Sequence, residues 1–224
     1  MLLADLRQNV VYVARKMRTY GLVDLAGGTV CARDKVTSLV AITPSGMEYE
    51  DMTPEDVCVV DMELQLIEGT RRPSVASDMF TSILKARPDV GAVIHTHSTY
   101  ATAFATVNRE IPVITTTQAN LVGGPVSVVQ PLHPGPHTLE YLDNIVNTLG
   151  QGRAVNLLCH GPIVVGDDLE DCFAVAVTIE RTAAIAAQAM LLGNPVALSE
   201  EETSIAYNYC RRAVGQNNLG NESR

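Results

Sequence analysis

Three histidines carry the spacing that metal chemistry needs. His95 and His97 stand two apart in VGAVIHTHS, an apolar run that reads as a buried strand. Strand side chains alternate, so both imidazoles project from one face. A catalytic zinc takes three protein ligands and keeps a position open for substrate. The third ring is expected from His160, which closes the apolar stretch AVNLLCH and precedes Gly161, where backbone or substrate can approach closely. A lone histidine on an apolar strand is more often a hydrogen-bonded core residue. The His-x-His pair with a third strand-end ring points instead to a metal. Imidazole suits several divalent ions, so Zn2+ heads the list, with Mn2+ or Co2+ as alternatives. His133 and His137, in the loop PLHPGPH, are expected at the surface and not at the rim of the site. Cys159, beside His160, is expected on the opposite strand face as a core thiol.

Two turns and a helix start add anion-binding chemistry. AGGTVCAR supplies Gly27, Gly28 and Thr29, and ITPSG supplies Ser45 and Gly46. Backbone N–H groups in such turns form nests, and the hydroxyls add donors. Ser74 sits at the expected start of a helix, where free N–H groups favour negative charge. Gly/Ser turns are mostly only turns; beside a metal they point to an oxyanion or phosphate site.

These residues need a scaffold. Leu6, Val10, Val13 and Met17 at helical spacing predict a helix over about residues 4–20, ended by Gly21. Strands follow at TVCAR and SLVAI, and a strand pair in DVCVVDMELQLIEG turns near Met62 and Glu63. A helix is expected from near Ser74 to before Pro88, and STYATAFATV reads as a small-residue helix. Residues 111–136 read as short strands and loops. Helices are expected over Leu139–Leu149, Asp168–Leu192 and Ser199–Val214, the last with Ser199 and Glu202 as a capping box. Irregular alternation of strands and helices, with no repeat and no linker, fits an α/β three-layer single domain over residues 1–214 and a flexible tail over 215–224.

Composition narrows the function classes. The 224 residues are 46% hydrophobic and 18% charged, as in a globular chain. The net charge of −9 argues against general binding to nucleic acid or anionic membranes. No apolar run reaches the ~18 residues of a bilayer span. A charge at Asp5 breaks the apolar start expected of a signal peptide. Five scattered cysteines without a CxxC motif read as reduced thiols, so a cytoplasmic location is expected.

The landmarks AGGTVCARD, ITPSGM, RPSVASD, KARPDVGAVIHTHSTYATAFA and CHGPIVVGDDLEDCF, spread over residues 5–192, resemble the class II aldolase/adducin family, which includes L-fuculose-phosphate aldolase and L-ribulose-5-phosphate 4-epimerase. The resemblance implies the three-layer α/β/α fold with a mainly antiparallel central sheet. It implies metal ligation by His95, His97 and His160, and substrate-phosphate contacts at Gly28, Thr29, Ser45, Gly46 and Ser74. It implies a homotetramer with active sites between subunits. Near the C-terminus family members bring a tyrosine to a neighbouring site, yet Tyr207 and Tyr209 read as ordinary half-buried helix residues.

One departure bears on mechanism. Ala76 occupies the place of the family's acid/base, Glu in the aldolases and Asp in the epimerases, whether by engineering or divergence. Val75 removes a second phosphate hydroxyl. Asp78 lies two residues further along, on another helix face; it stands in for that acid only through a local shift of register, and otherwise is a charge favourable in a first helical turn. The expected activity is metal-dependent aldol cleavage of a ketose 1-phosphate. The alternatives are decarboxylation, dehydration or 4-epimerisation on the same frame, and, remotely, a non-catalytic adducin-like module.

Overall fold

The computed structural model describes residues 1–130 and 135–213. One eight-stranded sheet runs through it: β1 (Thr29–Arg33), β2 (Val40–Ile42), β3 (Cys58–Val60), β4 (Leu66–Glu68), β5 (Ala92–His95), β6 (Ser127–Val129), β7 (Ala154–Leu157) and β8 (Gly161–Gly166). The spatial order is β4-β3-β2-β1-β5-β8-β7-β6. Only β6 and β7 pair in parallel; every other neighbour is antiparallel. The sheet is therefore mainly antiparallel, as expected.

Both faces are covered, which explains why the central strands read as unbroken apolar runs. Val30, Ala32, Ile94 and Val164 pack on one side with α1 (Ala4–Thr19), α3 (Thr99–Thr106) and α6 (Leu169–Leu192). Cys31, Val93, Ile163 and Val165 pack on the other with α2 (Ser77–Ala86) and α5 (Leu139–Leu149). Successive residues of one strand thus feed two different cores. By parity His95 shares its face with Val93, toward α2 and α5.

Helix α6 is long and apolar enough, by length and composition, to cross a membrane. Its apolar run is broken by Glu180 and Arg181, and the helix packs against β8 and β5. The Glu180 carboxylate accepts the backbone N–H groups of Tyr100 and Ala101, both at 2.9 Å, so it caps the start of α3.

Local departures have physical reasons. Helix α2 begins at Ser77, three residues later than expected, because Ser74 makes a turn whose carbonyl accepts the Ser77 N–H and hydroxyl. Residues 111–136 contain an unforeseen helix, α4 (Thr116–Leu121), capped by the Thr115 hydroxyl. With six residues it is too short to show an amphipathic period. Helix α7 (Glu200–Ala213) starts with the expected reciprocal Ser199–Glu202 cap. His133 and the tail 215–224 lie outside the described residues.

Candidate metal centre and substrate pocket

Strand β5 ends on His95, and the chain continues to His97, whose N–H donates to the Leu22 carbonyl at 3.1 Å. Antiparallel pairing sets His95 opposite Ile163 of β8. The hairpin joining β7 to β8 then brings His160 back over the same strand end. Its tight turn places Cys159 at φ 57, and the Thr102 hydroxyl donates to the His160 carbonyl at 3.2 Å. Gly161 is needed here for closeness: a Cβ would collide with the Thr96 carbonyl.

The three Nε2 atoms form a triangle, His95–His160 at 3.2 Å and both other edges at 3.1 Å. A tetrahedral zinc with nitrogens at 2.0–2.1 Å asks for edges of roughly 3.3 Å. No arrangement of protons satisfies all three edges. The His95 Nδ1 donates to the Pro162 carbonyl at 3.0 Å, so the neutral ring has a bare lone pair at Nε2. Whichever protons His97 and His160 carry there, one edge opposes like to like. A cation at the centre removes that conflict, so the donor set fits a divalent metal.

The electrostatics agree. Burial pushes His95 well below the usual imidazole range, and His160 and His97 push the same way. Burial lowers His97 as well, and it lowers His160 with His97 adding to the effect. His97 and His160 still present surface to solvent, which is where an open coordination position belongs. Neutral rings are the form that binds metal. Among the described residues this is the one cluster of three or more His, Cys, Asp or Glu side chains spaced to hold an ion.

The triad forms part of the wall of a cavity of about 200 Å³ that also holds Gly28, Thr29, Ser45, Gly46, Ser74, Val75 and Ala76. Larger concavities of about 500–640 Å³ lie elsewhere, but none contains such a cluster. The histidine triad, the turn residues singled out for phosphate and Ala76 therefore meet in one place, while Asp78 is not part of the cavity wall. Thr29, only 2% exposed, sets its hydroxyl 2.7 Å from that of Ser74. The Ser74 hydroxyl also accepts the Ala76 N–H at 3.3 Å. Gly28 has φ +81, and a Cβ there would lie 2.6 Å from the His95 carbonyl, so glycine lets this turn press against the metal strand.

Three expectations need correction. Ser74 is not the cap of α2; that place falls to Ala76, without a side-chain bond. Cys159 is exposed and not a core thiol, because strand alternation does not run through a hairpin turn. His137 is half-buried and reaches the cavity. Its Nδ1 donates to Asp78 Oδ1 at 2.8 Å. The sequence offered no sign of this contact, since it joins a proline-rich loop to a distant helix. Tyr207 is half-buried with its ring against Gly123, while Tyr209 is 69% exposed. Neither reaches this cavity within one chain.

Comparison with known proteins agrees with the fold. A solved L-fuculose 1-phosphate aldolase superimposes with a TM-score of 0.88 at 29% identity, over 94% of this chain and 98% of that one. That defines the architecture as the mixed α/β fold of class II aldolases. The sequence profile of the class II aldolase and adducin N-terminal domain matches residues 8–187, and the chain belongs to this family. A 5-deoxy-D-ribulose 1-phosphate aldolase of Bacillus thuringiensis is 35% identical over 202 residues, covering 90% of this chain and 93% of its own length. An L-ribulose-5-phosphate 4-epimerase of Salmonella typhi is also 35% identical, covering 81% and 83%.

Proposed function

We propose that this chain is a divalent-metal-dependent aldolase that cleaves or forms a C–C bond in a ketose 1-phosphate. The observation that carries the reading is the meeting of three imidazoles with the Thr29–Ser74 hydroxyl pair in one small cavity. In this reading His95, His97 and His160 hold the ion, most simply Zn2+, with Mn2+ or Co2+ as alternatives. A bound ion supplies Lewis acidity toward a substrate carbonyl.

The remaining roles belong to the chain itself. Thr29 and Ser74 direct hydroxyls, and Gly28, Ser45 and Gly46 a turn rim, toward the substrate phosphate. Val75 gives that rim no further hydroxyl. Cleavage removes a hydroxyl proton on one side of the broken bond and returns a proton to carbon on the other. Ala76 can move neither. The cavity is smaller than the ~300–1,000 Å³ of sites for drug-sized ligands, in keeping with a short sugar phosphate.

A second reading, 4-epimerisation of a pentulose 5-phosphate, is supported by the equal identity to an aldolase and an epimerase. Decarboxylation or dehydration would also dispense with an acid at position 76; a non-catalytic module gives no reason for an intact triad. The assembly we propose is a cytoplasmic homotetramer with sites between subunits. Leu191, Leu192 and Val196, each more than 85% exposed in the single chain, are apolar surface suited to subunit packing.

The experiment is a screen of ketose 1-phosphates and pentulose 5-phosphates with zinc-loaded protein and with A76E. Release of an aldehyde and a three-carbon ketone phosphate, dependent on metal, is the expected result. Epimer formation without fragments would select the second reading. Stoichiometric metal without turnover by either protein would overturn both.

A further inference from the structure

We propose that His137, held by Asp78, is the general acid/base of this site and does the work that Ala76 cannot. The inference rests on the aldolase reading above and adds a residue to it.

The geometry is that of an oriented imidazole. Asp78 is in the first turn of α2, and its Oδ1 accepts both the Met79 N–H and the His137 Nδ1–H, each at 2.8 Å. A carboxylate can only accept, so it holds the proton on Nδ1 and leaves the lone pair of the neutral ring at Nε2. The opposite restraint is packing. The His137 ring stacks on Tyr141 with centroids 5.8 Å apart and planes at 26°, and Tyr141 is itself buried in the α2–α5 layer. The ring is thus fixed in tautomer and in plane, as a carboxylate fixes a working histidine elsewhere.

The position is equally specific. His137 belongs to the same cavity as Ala76, Met79 and the three imidazoles. Ala76 is a methyl group where the family carries a carboxylate, so the space beside it is open to another proton carrier. Among the described residues, titratable groups facing His137 include Asp78 from α2, Tyr141 from α5, and His95 and His160 across the cavity.

In the cleavage direction the O–H electrons of the substrate become the aldehyde C=O. The C–C bond breaks, and its electron pair passes to the hydroxyketone fragment as an enediolate. The neutral His137 ring takes the proton released from the hydroxyl at Nε2, directly or through water, and the protonated ring then gives it to the enediolate carbon. Protons and electrons balance without a further reactant. Asp78 is a positioning residue in this scheme.

The test combines two readouts. In the metal-free protein, 1H–15N spectra at a pH where the ring is neutral should show His137 as the Nδ1–H tautomer, and D78N should lose that preference. In the zinc-loaded protein, H137N should lower kcat for cleavage by about 10²–10⁴-fold, with KM changed far less. Exchange of solvent deuterium into the three-carbon ketone phosphate should fall in parallel. D78N should lower kcat about 10–100-fold and shift the pH profile. H137N joined to A76E should regain exchange. Thermal midpoint and metal content separate these effects from misfolding. An Nε2–H tautomer in the wild-type protein, or an H137N enzyme with wild-type kcat and exchange, overturns this inference alone. Wild-type protein that neither cleaves nor exchanges overturns the aldolase reading and this inference together.

Discussion

Thr29 Oγ1 and Ser74 Oγ lie 2.7 Å apart across 45 residues of chain, in the same cavity as the histidine triad. A hydrogen bond to a charged group contributes about 1.5–3 kcal/mol. T29V or S74A should therefore lower kcat/KM for a phosphorylated ketose roughly 10–150-fold. The same variants should leave the already weak turnover of the dephosphorylated sugar unchanged. Comparing the two substrates under equal metal loading checks this. A loss shared by both sugars would move these hydroxyls out of the phosphate role.

Metal removal should destabilise as well as silence. An ion that binds the folded chain and not the unfolded one adds about 2.7 kcal/mol when present at a hundred times its dissociation constant. Chelation should lower the thermal midpoint of the wild-type protein and leave H95Q, which has lost a ligand, almost unmoved. Scanning fluorimetry with and without chelator reads the difference.

The pH response of the metal-free protein follows from the triad. All three rings are lowered, His95 the most strongly, with burial the first cause in each. Below the ordinary imidazole value of 6.5 the unfolded chain takes up protons that the folded chain resists. Stability is therefore fully present above that pH and is lost as the pH falls from about 6.5 toward the lower folded values. Zinc binding should weaken over the same window, since each proton competes with the ion. Urea titrations of the metal-free protein between pH 5 and 8 should show the midpoint falling on the acid side, and less so in H95Q.

Thiol chemistry should separate the cysteines. Burial raises the Cys31 thiol out of reach of neutral pH, and Cys172 likewise, while Cys159 is exposed on the β7–β8 turn. Iodoacetamide on the native protein should label Cys159 first and spare Cys31, Cys58 and Cys172 until denaturant is added. Peptide mass mapping over a time course would show any other order.

Light scattering should return a particle of about four chains of 24.1 kDa. Charged substitutions at Leu191 and Leu192 should drive it toward smaller species. A monomer at working concentration would leave the proposed intersubunit sites without a partner.

What the sequence made legible is what obeys a local period. The alternation of β5 put His95 on its face, the spacing of two marked His97 as its neighbour although that residue lies just past the strand end, and the turn glycines marked the rim, because all of these depend on neighbours two or three residues away. The three-residue delay of α2 escaped because the Ser74 carbonyl competes for Ser77 before the helix begins. Cys159 was misplaced because a period of two does not survive a residue at positive φ. His137 stayed hidden for a different reason. Its partner Asp78 is 59 residues away, and neither the loop nor the helix carries a pattern that names the other.

The Pro162 carbonyl accepts the Thr96 N–H and the His95 Nδ1–H, each at 3.0 Å. One main-chain oxygen thus both seals the sheet and dictates which nitrogen of the innermost ligand stays available. Because that instruction is issued by backbone, it survives any change of side chain that keeps the strand in register. A catalogue of altered residues among relatives would miss it; a one-residue slip of β8 would erase it while every amino acid stayed the same.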